Sequence, residues 1–289
     1  MTLPVDCKKH LENITGKYIV FEPTEYMLES AVSFSQYIFD CSVLVTLIGE
    51  RHDKIFKCKS RLSLPICEYC AKTTRNNPNC RVILEYYCGG ENIKADVPTL
   101  MNSASIKNTY KKMKKNKTEK QIIPLDYRPY FLSRRGQDDL YGKGWAKYTD
   151  NKEKIIEAFV KPFWERSNNF AMNNPQFYYK EVIDFLQSYY QKICTYFRRV
   201  ERNIKKNDPN IRRQLFDAWK HVADYFIIRK MLKKDHSRID EYILIIGEAH
   251  RENIEKLFQT LPASLVKKIG DTQLYEEEKC VTLLKTLRF

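Results

Sequence analysis

The chain predicts an α/β fold: a mostly parallel central sheet, flanking helices, and a helical insertion or lid before the last core strand. Two observations carry that prediction. Two apolar runs almost two hundred residues apart, Val43 to Ile48 and Tyr242 to Ile246, each stop at Gly-Glu-x-His. Continuous runs rich in Val and Ile read as strands buried on both faces, the mark of a parallel sheet. Between them, residues 152–235 are poor in glycine and patterned at helical spacing.

The elements follow in order. Residues 18–22 read as a short strand and 25–40 as a helix. Residues 42–48 form the buried strand, and 55–60 a basic edge. Leu64 to Thr74 is a helix with proline near its first turn, broken by Asn76-Asn77-Pro78-Asn79. Arg81 to Tyr87 is the next strand, closed by Gly89-Gly90. Residues 91–120 are a polar excursion whose lysines, Lys111 to Lys120, mark a solvated loop or helix. Gln121 to Arg128 is a further strand, although Pro124 fits a central strand badly. Ile183, Leu186, Tyr190, Ile193 and Phe197 line one helix face, and Leu215, Trp219, Val222, Phe226 and Met231 another, with a turn at Asn207 to Asn210. Asp240 to Ile246 returns to the sheet, Glu252 to Leu261 is a helix, and 279–285 a last strand. The expected organisation is a first core part at 1–150, a helical insertion at 151–236 and a closing core part at 237–289.

With 289 residues, 43% of them hydrophobic, the chain can bury a sizeable core. Its formal charge of +14 is compatible with an anionic partner at a lysine-rich surface, although it reads more simply as a solvated surface. Nine cysteines, an odd number in a large chain, fit reduced thiols in cytoplasm or nucleus, including those of an infected host cell. No run approaches the roughly 18 apolar residues of a membrane span. Cys67-x-x-Cys70 with Cys80 and Cys88 offers a zinc reading, but the irregular spacing reads more simply as buried thiols.

The polar residues at the ends of the apolar runs are the candidate site. They are Glu50 and His52, then Glu85, then Asp126 with Arg128, then Glu248 and His250. Open α/β sheets place their sites at the carboxyl ends of strands. If each Gly-Glu-x-His stays extended, its two side chains point to one side. Glu50, His52, Glu248 and His250 are then candidate ligands for a divalent metal such as Mn, Co, Fe or Zn. Without metal, one histidine could activate water while Arg128 holds an anionic transition state.

These residues carry a resemblance. Gly49-Glu50-Arg51-His52-Asp53, Ile83-Leu84-Glu85, Leu125-Asp126-Tyr127-Arg128 and Ile245-Ile246-Gly247-Glu248-Ala249-His250 resemble, in order, motifs of the Tiki/TraB superfamily. The first is most similar to ChaN-like proteins, relatives of the erythromycin esterases. The resemblance implies a strand-end pocket and a hydrolase-like, metal-dependent peptidase or esterase activity. It also leaves a haem or anion binder open. One more residue separates Glu from His in the esterases' first motif, which argues against lactone hydrolysis. A different class stands beside these: a catalytically retired fold serving as a self-assembling viral protein, such as one of an occlusion body. The Lys-, Asn-, Ile- and Tyr-rich composition and the odd cysteine count favour that reading.

Overall fold

A computed structural model describes residues 26–29, 31–39, 43–50, 63–85, 103–124, 131–132, 136, 139–140, 142–171, 181–232, 239–259, 263–269 and 280–283. The expected strand at 18–22 and basic edge at 55–60 lie outside them. The chain divides into two compact units, Met1–Leu125 with Asp235–Phe289, and Asp126–Lys234.

The first unit is a mixed α/β fold. Its strands are β1 (Tyr26–Glu29), β2 (Ala31–Phe39), β3 (Val43–Glu50), β4 (Ser63–Pro65), β5 (Cys80–Leu84), β6 (Ile122–Pro124), β7 (Glu241–Gly247), β8 (Ala263–Ile269) and β9 (Cys280–Leu283). Six of them form the central sheet in the order β6-β5-β7-β3-β2-β8. The β6/β5, β5/β7 and β7/β3 ladders are parallel, and β2 and β8 extend the sheet antiparallel. Every residue of β3 and β7 is buried, as their continuous apolar runs require. Pro124 ends β6 at the sheet edge, where a missing N–H costs no ladder bond. A small second sheet has the order β4-β1-β9.

Tyr26–Glu29 and Ala31–Phe39 are strands, where a helix was expected over 25–40. Phe34, Tyr37 and Ile38 stand at a spacing that a helix also satisfies. Pairing on both edges, to β3 and to β8, decides for the strand. β8 carries no strong signal of its own, and its place follows from that same pairing.

The helices of this unit are α1 (Ile66–Asn76), α2 (Ala104–Lys115) and, near the end of the chain, a helix over Glu248–Phe258. Pro65 caps the start of α1, and Asn77 ends it with its N–H on the Thr73 carbonyl (2.8 Å). Ser103 caps α2 by accepting from the Ile106 N–H, so the polar excursion is helical over Ala104–Lys115. Lys112 of α2 pairs with Glu68 of α1.

The second unit is helical: α3 (Lys152–Ile155), a π turn (Ile156–Val160), α4 (Lys161–Ala171), α5 (Glu181–Lys205) and α6 (Ile211–Leu232). Accordingly the Glu248–Phe258 helix is α7. The unit starts well before residue 151, the expected boundary. Trp145 and Tyr148 pack on Phe159, Phe131 packs on Phe163 and Trp219, and Arg212 donates to the Leu140 and Gly142 carbonyls. These contacts tie the preceding segment to the helices. Phe163 and Phe197 stack at 4.0 Å in its core. Among the described residues, no helix is long and apolar enough to cross a membrane.

Candidate functional site at the carboxyl rim of the sheet

The parallel ladders bring three strand ends level. Glu50 on β3 is opposite Gly247 on β7, and Leu84 on β5 is opposite Ile245. Glu50, Glu85, Glu248 and His250 therefore leave the same rim. His52 and Arg128, with Asp126, lie outside the described residues.

The second Gly-Glu-x-His does not stay extended. Glu248 and His250 open α7, and two residues of helix turn the chain by about 200°. The two side chains consequently go to opposite neighbours rather than to one side. Glu248 turns towards β2 and β3, where Ser33 donates to its carboxylate. His250 turns towards β5, and its Nε2 stands 3.7 Å from Glu85 Oε1. The Gly247 N–H donates to Glu85 Oε2 (3.4 Å). A carboxylate thus sits at the positive end of α7, next to a buried imidazole.

Glu50 is 1% exposed and accepts from the Ser103 hydroxyl at 2.6 Å. Glu248 is held harder. Arg251 donates to its Oε1 from Nε (2.9 Å) and Nη2 (2.8 Å). The same guanidinium donates through Nη1 to Glu255 (2.9 Å), which also accepts from the Tyr37 hydroxyl (2.9 Å). Burial opposes the charge on Arg251, but the two carboxylates outweigh it and push its pKa up. Burial first, then Glu255, raises the Tyr37 hydroxyl far above its ordinary value.

The glycine of the first motif has a specific job here. A Cβ on Gly49 would lie 1.7 Å from Glu248 Oε2 and 2.3 Å from Ser33 Oγ. The second motif's glutamate rests on the first motif's glycine. Gly49→Ala is expected to cost about 1–3 kcal/mol through overpacking. Part of that cost should vanish in a Glu248→Ala background, where the colliding carboxylate is gone and Ser33 Oγ remains against the new methyl. Urea unfolding of the four proteins measures this; equal costs in both backgrounds would contradict the contact.

Sequence reasoning missed Ser33, Tyr37, Ser103, Arg251 and Glu255. Arg251 and Glu255 were legible, because they stand three and seven residues after Glu248 on one helix face. Ser33 was hidden by the helical reading of residues 25–40.

Among the described residues, no three His, Cys, Asp or Glu side chains are grouped to hold a metal. Of the four candidate ligands, Glu50, Glu248 and His250 are described, and each carboxylate is already engaged by the groups above. Cys67, Cys70, Cys80 and Cys194 are free thiols.

What these observations define is a mixed α/β protein with a polar strand-end site and a separate helical unit. Comparisons with known proteins add little to that class. No family profile matches the chain, and no solved structure matches it. One curated protein, autophagy-related protein 17 of Vanderwaltozyma polyspora, is 26% identical over 151 residues. That similarity covers 50% of this chain and 33% of the other protein, so the chain spans about a third of the length of that relative.

Proposed function

We propose that the chain is a hydrolase-like protein of the Tiki/TraB/ChaN kind, with its working site at the carboxyl rim of the sheet. The observation that carries this reading is the Glu85–His250 pair. In it a carboxylate anchored by the Gly247 amide faces a buried imidazole at a strand end. That is the arrangement a general base needs: the carboxylate orients the ring and stabilises it once charged.

In this reading a water attacks the carbonyl of an ester or peptide. Its proton passes to His250 and then to the leaving group as the bond from carbonyl carbon to that group breaks. A metal-dependent version draws on His52 with His250, and needs Glu50 or Glu248 to leave its present partners.

A second reading has its own support. Glu248 is bound by Ser33 and Arg251 in a way that stabilises the fold rather than frees a reactive group. That favours a retired fold used for self-assembly, in the viral structural role the composition suggests. An anionic partner at the basic surface is compatible with either.

The test is a panel of ester and peptide substrates, assayed with and without a chelator, together with metal content by elemental analysis. Turnover that falls by 10²-fold or more in His250→Ala supports the hydrolase. A chelator effect and a bound metal lost in that variant would add the metal-dependent form. Absence of turnover across the panel, with large homo-oligomers in light scattering, supports the structural role instead.

A further inference from the structure

We propose that the turn end of the α5–α6 hairpin is a docking surface for the phosphodiester backbone of a nucleic acid. This gives the anionic-partner reading a place and a chemical class, and it stands or falls apart from the rim site.

The charge is unevenly placed. Residues 126–234 carry 23 Lys and Arg against 13 Asp and Glu, a surplus of ten. The rest of the chain carries the other 27 against 23, a surplus of four. Between Lys192 and Arg213 there are eight basic residues against two acidic ones, Glu201 and Asp208.

The fold turns these side chains outward. Ile193, Phe197, Val200 and Ile204 of α5 are buried in the hairpin core, and Arg199, Arg202 and Lys206 are exposed. Arg199, Arg202 and Lys206 follow one another at three and four residues, about 4.5 and 6 Å of helical rise. Asn203 donates to Gln214 (2.8 Å) across the turn, which levels exposed Arg213 with them. Arg202, Lys206 and Arg213 form no ion pair among the described residues. By contrast, Arg212 already has structural work, since it lies over Trp145 and donates to two carbonyls.

The chemistry favours nucleic acid over a lipid surface. Arginine forks match phosphate oxygens two at a time. Half-exposed Trp164 and Tyr196 lie on the same unit, beside Arg198 and His221 respectively, where bases could stack. A helix seated in a membrane needs a broad apolar face. Here the apolar face of α5 is spent on the hairpin, and Phe216 (45% exposed) is the exposed large hydrophobic among the described residues. The lysines of α2 are weaker candidates. Lys112 pairs with Glu68, and Lys114 and Lys115 complement the negative end of their own helix.

The experiment is fluorescence anisotropy of a labelled oligothymidine with the full chain, titrated between about 50 and 200 mM salt. The triple variant Arg199→Gln/Arg202→Gln/Arg213→Gln should bind at least tenfold more weakly. Its log–log salt slope should be shallower by about 2, at roughly 0.7 per lost contact on a single strand. If the triple variant loses helical circular dichroism, the single Arg202→Gln replaces it, with a slope change of about 0.7. Three results would overturn the proposal: no binding by the wild type at the lowest salt; a loss that follows Lys111→Gln/Lys114→Gln/Lys115→Gln instead; or capture by phosphatidylserine vesicles but not by the oligonucleotide.

Discussion

Arg251→Leu is expected to destabilise the first unit by about 3–5 kcal/mol, the usual cost of stranding buried charges. Arg251 is 4% exposed and Glu255 5% exposed. The guanidinium lies between Glu248 and Glu255 and donates to both. Its removal leaves two carboxylates on one face of α7 with no cation between them. Leucine keeps much of the volume, so the loss is electrostatic rather than a cavity. A second substitution separates these causes. Glu255→Gln should be harmful alone, because it removes half of the pairing. In the Arg251→Leu background it should restore about 1–2 kcal/mol by deleting one orphaned charge. Denaturant unfolding of the four proteins reads the sign of that coupling. Additive losses would show that the three side chains do not act together.

The second large effect is at the opposite end of the sheet. Glu241 opens β7, is 1% exposed, and its Oε1 has no hydrogen-bond partner. Burial, and then the charge of Asp240, push its carboxyl from 4.5 up to about 8, against an opposing pull from Asn77. The sign follows directly. Below the ordinary carboxyl value both folded and unfolded chains keep the proton, and the stability is fully present. Between that value and about 8 the unfolded chain has released a proton that the folded chain still holds. Each unit of rising pH there subtracts about 1.4 kcal/mol, so the total loss is roughly 5 kcal/mol and is complete above the folded value. Glu241→Gln removes the titration while keeping the shape. It should match the wild type near pH 4 and exceed it increasingly up to about pH 8. A stability difference that does not change with pH would contradict the buried, protonated carboxyl. The same burial, reinforced by Glu241, raises the thiols of Cys70 and Cys80, which makes them poor nucleophiles at neutral pH.

Most of the sheet was legible because its central strands are apolar without interruption. β3, β5 and β7 needed only that pattern, and the helical unit needed only its glycine-free periodicity. β2 was not legible, because Ser33, Ser35 and Gln36 are polar residues buried by pairing on both edges, which no local pattern announces. The rim was half legible. The sequence placed Glu50, Glu85, Glu248 and His250 at strand ends, and the ladders bring them to one edge. It could not show that α7 begins at Glu248 itself, a boundary that depends on one residue. That boundary separates Glu248 from His250, sends one into an arginine clamp and gives the other to Glu85.

The central claim is that Glu85 and His250 work as a unit. The direct measurement is a cycle of kcat/KM values for the wild type, Glu85→Gln, His250→Ala and the double variant on whichever ester or peptide the panel identifies. The account predicts a loss of 10²–10⁴-fold for His250→Ala and almost no further loss when Glu85→Gln is added, since partners in one step are not additive. Losses that multiply, or a His250→Ala protein as active as the wild type, would contradict it.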